Sequence, residues 1–354
     1  MRLQLIALVI AASASAEPLA SLDLRSGVYQ DSDRTFISTT TVAARGTIKQ
    51  RLTLEARYLV DVISSASVDV ITAATGTFRE TRHEVEGALA FHDGTRAANA
   101  SYVYSIENDW QSHTANLGFS HDLAQHDVTV GAGGTFGYNR VGRAGDPNFH
   151  RTLYAAGGMV FATFVLTRRD LLNVSYTLAY LSGYQASPYR YVYFNEASGS
   201  RGSVPETDPE LRGRHALTAR WNHHLFKDSA LQSHLRGYAD DWGVLSLTAG
   251  AEYLVGFGQF TVGAHLRGYV QQHAGFYRPV YQTAMRYMTA DRELSSFIDG
   301  FGGVRAEWRR AHLGPLAELR AEAKLDGFGF WFFDFPRLQS RNGLIVELAI
   351  GASL

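Results

Sequence analysis

The feature that most constrains this chain is a two-residue hydrophobic period, held over ten or more residues at a time and repeated from one end to the other. From Ile48 the even positions read Ile48, Gln50, Leu52, Leu54, Ala56, Tyr58 and Val60, and the odd positions Lys49, Arg51, Thr53, Glu55, Arg57, Leu59 and Asp61. One face is almost wholly apolar and the other carries charge, which is the pattern of a β-strand, where successive side chains point to opposite faces. The split returns at Val85, Gly87, Leu89 and Phe91, at Val128 to Tyr138, at Leu172 to Tyr180 and at Leu344 to Leu354. Strands in soluble sheets peak at about five or six residues, whereas a strand crossing a bilayer at about 45° needs some 9 to 11, apolar outward and polar inward. Length therefore separates membrane strands from soluble ones here.

The connections agree. Tight polar turns at Asp93-Gly94, Thr167 to Asp170 and Phe226 to Ser229 alternate with longer joins at Asn139 to Phe149, Gln185 to Arg212 and Gln271 to Arg292. Short turns on one side and long loops on the other are the wiring of an outer-membrane barrel. The reading is an all-β, transmembrane, antiparallel up-and-down barrel with short periplasmic turns and long extracellular loops. Sixteen strands are expected: Ala20 to Val28, Phe36 to Ala44, Ile48 to Val60, Phe78 to His92, Thr95 to Ile106, Gln111 to His121, Asp127 to Tyr138, Thr152 to Leu166, Leu171 to Leu181, Arg214 to His224, Leu231 to Ala239, Leu245 to Val255, Phe260 to Tyr269, Leu294 to Trp308, Leu316 to Leu325 and Gly343 to Ser353. Fourteen is the nearest alternative, because the first strand is weakly patterned. Closure follows from physics, since an open edge in hydrocarbon would leave unpaired amides at several kcal/mol each.

Residues 1–16 read as a signal peptide: Met1-Arg2, the apolar run Leu3 to Ala12, and an A-x-A ending at Ala16. Residues 17–354 then form a single barrel domain, exported to a bacterial outer membrane. Composition fits. Charged residues are 19% of the chain, cysteine is absent, and 33 basic against 34 acidic residues leave a formal charge of −1. Disulfide scaffolds and thiolate sites are excluded, and no basic excess advertises a nucleic-acid partner.

Several motifs also carry a family resemblance. YLVDVISSASVDVITAAT from Tyr58 with Arg79-Glu80-Thr81-Arg82, PELRGRHAL from Pro209, LRGYADDWGVLSLT from Leu235, LRGYVQQHAGFY from Leu266 and TADRELS from Thr289 resemble, in order and spacing, an outer-membrane barrel family known only as a domain of unknown function. The resemblance implies a Gram-negative outer membrane and a barrel, and brings no substrate or reaction.

The residues of chemical interest are those expected to line the lumen. Asp240-Asp241-Trp242-Gly243 falls where one strand turns into the next, with Arg236 and Tyr238 on the same face as Asp240. Adjacent carboxylates suit a divalent cation or acid and base work. A tight loop in which Asp caps backbone amides and an arginine neutralises it is the preferred reading. Arg267, Tyr269 and Gln271 are expected to form a second rung, and Arg57, Asp61, Arg79 and Glu80 another, with Arg51 and Glu55 on the same charged face. His223 and His224 point to opposite faces, so only one of them, with His234 across the hairpin, is open to metal binding; no metal or cofactor is assigned. No G-x-S-x-G, H-E-x-x-H or P-loop is present, and no catalytic residue is named.

Two functions follow. The first is a porin-like channel or transporter for small polar solutes, since about sixteen strands enclose an aqueous lumen. The second is a plugged, non-conducting barrel that acts as an outer-membrane enzyme or assembly partner. Outer-membrane lipid, the barrel-assembly machinery and small polar solutes are the expected partners, and the oligomeric state is left open.

Overall fold

The computed structural model describes residues 20–65, 78–195 and 202–354; the expected signal peptide lies outside them. The chain forms β1 (Ala20–Asp31), β2 (Thr35–Ile48), β3 (Leu52–Ser65), β4 (Phe78–His92), β5 (Arg96–Ile106), β6 (Trp110–Leu123), β7 (Val128–Val141), β8 (Arg151–Val165) and β9 (Asp170–Gly183). A small hairpin, β10 (Tyr191–Tyr193) with β11 (Ser203–Pro205), precedes β12 (Leu211–Phe226), β13 (Ser229–Asp240), β14 (Leu245–Phe257), β15 (Phe260–Gln271), β16 (Phe297–Leu313), β17 (Leu316–Phe332) and β18 (Ser340–Ser353). All but the hairpin belong to one closed barrel of sixteen strands, in which each pairs with its sequence neighbours, β9 with β12, and β18 with β1.

Closure is antiparallel throughout, down to Ser21 opposite Ser353 and Asp31 opposite Gly343. Every strand edge is paired, as a hydrocarbon environment demands. Turns at one end are tight. Between β4 and β5, Gly94 adopts a φ of 101°, and Asp93 Oδ1 accepts from Thr95 N at 3.1 Å and Arg96 N at 2.8 Å, so a side chain supplies the turn's missing acceptor.

The expected strand from Ile48 is corrected: Ile48 completes β2, Lys49 and Gln50 turn the chain with left-handed φ of 52° and 56°, and β3 starts at Leu52. Two polar, flexible residues at a solvent-facing turn tolerate a conformation that the alternation alone does not show. Leu294 likewise ends a single 3-10 turn, Arg292–Leu294, before β16 begins. The hairpin β10–β11 was not expected, because three residues per strand are too few to register a period.

The outer wall is apolar. Leu117, Leu217, Leu266 and Leu348 point away from the lumen, Leu266 being 72% exposed, which in a bilayer is contact with lipid rather than water. Tyr58, Phe91, Tyr102, Phe136, Tyr154, Tyr180, Trp221, Tyr253 and Phe260 are exposed on this face as well. Tyrosine hydroxyls there bond histidines of the next strand: Tyr58 to His83 at 2.8 Å, Tyr102 to His113 at 2.6 Å and Tyr176 to His215 at 2.7 Å. Such rings suit the polar edge of a membrane.

The longer connections fold together over the other end. Among the described residues, the connection between β9 and β12 and the one between β15 and β16 meet through single bridges at Phe194 with Tyr281 and Thr207 with Met288, around a buried cluster of Val192, Tyr281, Met288 and Ala290. The connection between β17 and β18 joins them, because Tyr277 Oη donates to Asp334 O at 2.9 Å and the Arg337 guanidinium lies 4.0 Å over the Tyr193 ring. Beneath this cap the inward faces of β16 and β17 carry Phe297, Phe328, Phe330 and Phe332, packed with Trp242, Val244, Leu294 and Phe335.

Candidate functional site

Inward-facing charge is arranged in opposed rungs. Register places Arg45 opposite Glu55, Arg57 opposite Glu86 and Asp61 opposite Arg82, and each pair is bonded: Arg45 to Glu55 at 2.8 Å, Arg57 to Glu86 at 2.6 Å and to Glu84 at 2.8 Å, and Arg82 to Asp61 at 2.5 Å. Directly opposed residues of antiparallel strands lie about 4.5–5.5 Å apart at Cβ, so long side chains of opposite charge meet without strain. Arg25 reaches Glu347 at 3.4 Å and Glu322 at 3.5 Å, and Lys324 bonds Asp326 at 2.8 Å.

Solvation divides this lining in two. Toward the tight-turn end, Arg25 and Arg45 keep 52% of their side-chain surface exposed although both point into the lumen. The space beside them is open to solvent. At the loop end the side chains of Asp31 and Asp240 are fully buried, while Arg212 and Arg341 keep about a tenth of theirs. The lumen is wet toward the turns and dry beneath the cap.

Asp240 is the centre of the dry end. It accepts from Arg212 Nε at 2.9 Å, Tyr238 Oη at 2.7 Å, Trp242 N at 3.1 Å and Val244 N at 2.9 Å, and Arg212 also stacks 4.1 Å over the Trp242 ring. Two turn amides, a phenol and a guanidinium share one carboxylate. Asp241, next in sequence, is exposed and accepts one bond, from Gly213 N at 2.9 Å. The adjacent carboxylates therefore do different jobs and do not converge on one ligand.

The other expected residues separate in the same way. Glu55, Arg57, Asp61, Arg236 and Arg267 sit on the inward face; Arg236 lies 5.8 Å over the Tyr238 ring, and Arg267 bonds Asp299 and stacks 4.3 Å over Phe301. Tyr269 Oη donates to Gln271 Oε1 at 2.5 Å, and Gln271 Nε2 donates to the carbonyls of Glu293 and Ser295, both at 2.9 Å, so this rung anchors the long loop. Glu80 is buried at the loop end. Arg79, its neighbour on β4, falls on the opposite, outer face by alternation, and Arg51 lies in the exposed turn before β3. His223 bonds Asp170 at 2.7 Å, while His234 stands opposite Arg220 and His224 opposite Ala230, so these histidines do not gather.

Arg45, Arg82, Glu84, Glu86, Arg212 and Asp299 complete the rungs and were not singled out from the sequence. For Arg82, Glu84 and Glu86 the signal was available, since they share the even positions of RETRHEVE with Glu80. Arg212 pairs diagonally, one step beyond Arg214, which is the residue directly opposite Asp240.

The cap holds a second charged group. Glu206, with its side chain fully buried, accepts from Ser187 N at 2.7 Å, Arg190 at 3.2 Å and Thr289 Oγ1 at 3.0 Å, and Arg190 also bonds Asp291 at 2.8 Å. Burial, with Glu206 and Asp291 nearby, pushes the carboxyl of Asp208 up to about 8, against the opposing pull of Arg190 and Arg212.

With the geometry in place, comparison with other proteins identifies the lineage. The family described as "Protein of unknown function (DUF3570)" matches residues 72–156 and 150–322. The chain belongs to this family. No curated protein matches it. Among solved structures, this DUF3570 barrel resembles a "bacterial polysaccharide outer membrane secretin" with a TM-score of 0.55 at 9% identity, over 96% of this chain and 100% of the other. It also resembles CdiB from Acinetobacter baumannii with a TM-score of 0.51 at 9% identity, over 96% of this chain and 61% of that longer one. At such identity the likeness is one of fold, that of a bacterial outer-membrane barrel.

Proposed function

We propose that this barrel is an outer-membrane channel or transporter for small polar solutes whose extracellular mouth is closed in the present conformation by its own loops. The observation that carries the reading is the split in solvation: a hydrated lumen lined by paired charges on the turn side, and a dry, side-chain-locked cap on the loop side. Paired charges keep the lumen near neutral, which favours polar solutes over strong selection for ions of one sign. Export through a leader ending at Ala16 is part of this reading.

Planar-bilayer recording tests it. Wild-type protein is expected to give discrete but infrequent conductance steps, and Glu206→Gln, which weakens the Arg190 bond inside the cap, to open more often. Silence at every voltage from both proteins would overturn the channel reading. The dry loop end would then favour the second one, a plugged barrel acting as an enzyme or assembly partner.

A further inference from the structure

The rim of the loop end carries a group that neither the channel nor the rungs use. Glu80 from β4 and Glu107 and Asp109 from the turn between β5 and β6 each place one carboxylate oxygen within 4.8 Å of the others. Glu80 is only 8% exposed, and among the described residues its Oε1 has no hydrogen-bond partner. A buried, unpartnered carboxylate oxygen is costly unless something positive occupies the space it faces. Among the described residues no ion pair to these three carboxylates is formed: Arg82, whose field reaches Glu107, is bonded to Asp61 at 2.5 Å.

From this geometry we infer that Glu80, Glu107 and Asp109 form a binding site for a divalent cation of calcium's size. Calcium, the larger ion, takes six to eight oxygen ligands in a flexible geometry, which three carboxylates and water can supply, whereas magnesium demands a near-ideal octahedron and is usually held by one or two carboxylates. The remaining positions fall to water, which reaches the turn through a surface cavity of about 520 Å3 lined by Glu107, Asn108 and Asp109 on one side and by Arg140 and Arg151 among others. The supporting shell is also built. Tyr189 Oη donates to Asp109 Oδ2 and accepts from Ala144 N at 2.6 Å, so an ion held by Asp109 would tie the turn to two of the long connections. Burial and the facing carboxylates of Asp109 and Asp61 hold the Glu107 carboxyl above its usual range, a repulsion that a cation relieves.

The test uses the full-length protein, folded in detergent micelles, with Tb3+ as probe, because Trp110 and Tyr189 stand close enough to sensitise its emission. Saturable emission that Ca2+ displaces, and at least tenfold weaker binding in Glu107→Gln and in Asp109→Asn, is the expected result. Glu318→Gln, at the opposite end of the barrel, is expected to behave as wild type. Glu107 lies in a turn, so Glu107→Gln leaves the barrel foldable, which circular dichroism checks even where Glu80→Gln fails to fold. Absence of saturable emission, or emission unchanged in both Glu107→Gln and Asp109→Asn, would overturn the site. Displacement by Mg2+ as effective as by Ca2+ would overturn the assignment to an ion of calcium's size.

Discussion

Replacing Asp240 by alanine removes the acceptor that four groups share. The carboxylate is fully buried, and so is most of Arg212, whose guanidinium loses the carboxylate it bonds while staying stacked on Trp242. Deleting one member of a buried pair leaves an uncompensated charge and costs about 3–5 kcal/mol. The orphaned amides of Trp242 and Val244 belong to residues buried beneath the cap, so losing their acceptor adds to that cost. Asp240→Asn also leaves the guanidinium unneutralised but keeps the shape and one acceptor, so its expected loss is smaller, about 3 kcal/mol. Asp241→Asn weakens one exposed bond to Gly213 N and should cost about 0.5–1.5 kcal/mol.

The measurement is urea unfolding of the refolded barrel in detergent, followed by tryptophan fluorescence. Order is the diagnostic: Asp240→Ala far below wild type, Asp240→Asn between, Asp241→Asn near wild type. Equal effects of Asp240→Ala and Asp241→Asn, or a loss under about 1 kcal/mol for Asp240→Ala, would refute the claim that this carboxylate locks the loop end. Hydrolysis of lipid or peptide abolished by Asp240→Asn without loss of stability would instead make the pair catalytic.

Three further outcomes follow from the same geometry. The folded-state carboxyl of Asp208 titrates near 8, above its unfolded value of about 3.9, so the folded cap binds the extra proton and loses stability as pH rises from about 4 to 8. Open probability in bilayers should rise over that window, and Asp208→Asn should flatten the profile; an unchanged profile would exclude Asp208 as its source. Arg57→Ala leaves Glu84 and Glu86 facing the lumen without their shared cation, and the reversal potential under a KCl gradient should move toward cation preference. Gln271→Leu removes both donors to the Glu293 and Ser295 carbonyls, about 1–3 kcal/mol of loop anchoring, seen as faster proteolysis of the connection after β15 with the barrel strands intact.

The wall of this barrel was legible because alternation is local: Leu54, Glu55, Ala56 and Arg57 declare their faces without reference to any other strand. The same rule separates Arg79 from Glu80, and the sequence already held that information. Pairing is a different kind of fact. Arg57 faces Glu86 only once the length of an intervening connection and the stagger of two strands are fixed, and neither is written in the alternation. The caps and loops are further removed, since Glu206, Thr289 and Arg190 meet from segments far apart in the chain and carry no period at all.

The hardest contact to foresee skips a strand. Arg305 on β16 forms an ion pair with Glu252 on β14 at 2.6 Å, although β15 runs between them. What permits it is Gly263 on β15, where an added Cβ would stand 3.1 Å from Glu252 Oε1 and 3.3 Å from Arg305 Cγ. A side chain there would press on Leu254 Cδ2, 2.6 Å from the added Cβ, and crowd both ends of the bridge, so the absence of one eases the path of charge across the inner wall. The chain has 34 glycines, and nothing around this one in the sequence marks it as the opening through which two distant strands are joined. Alternation assigns Glu252, Gly263 and Arg305 to the lumen; only the stagger of three strands at once shows that the middle one must be bare.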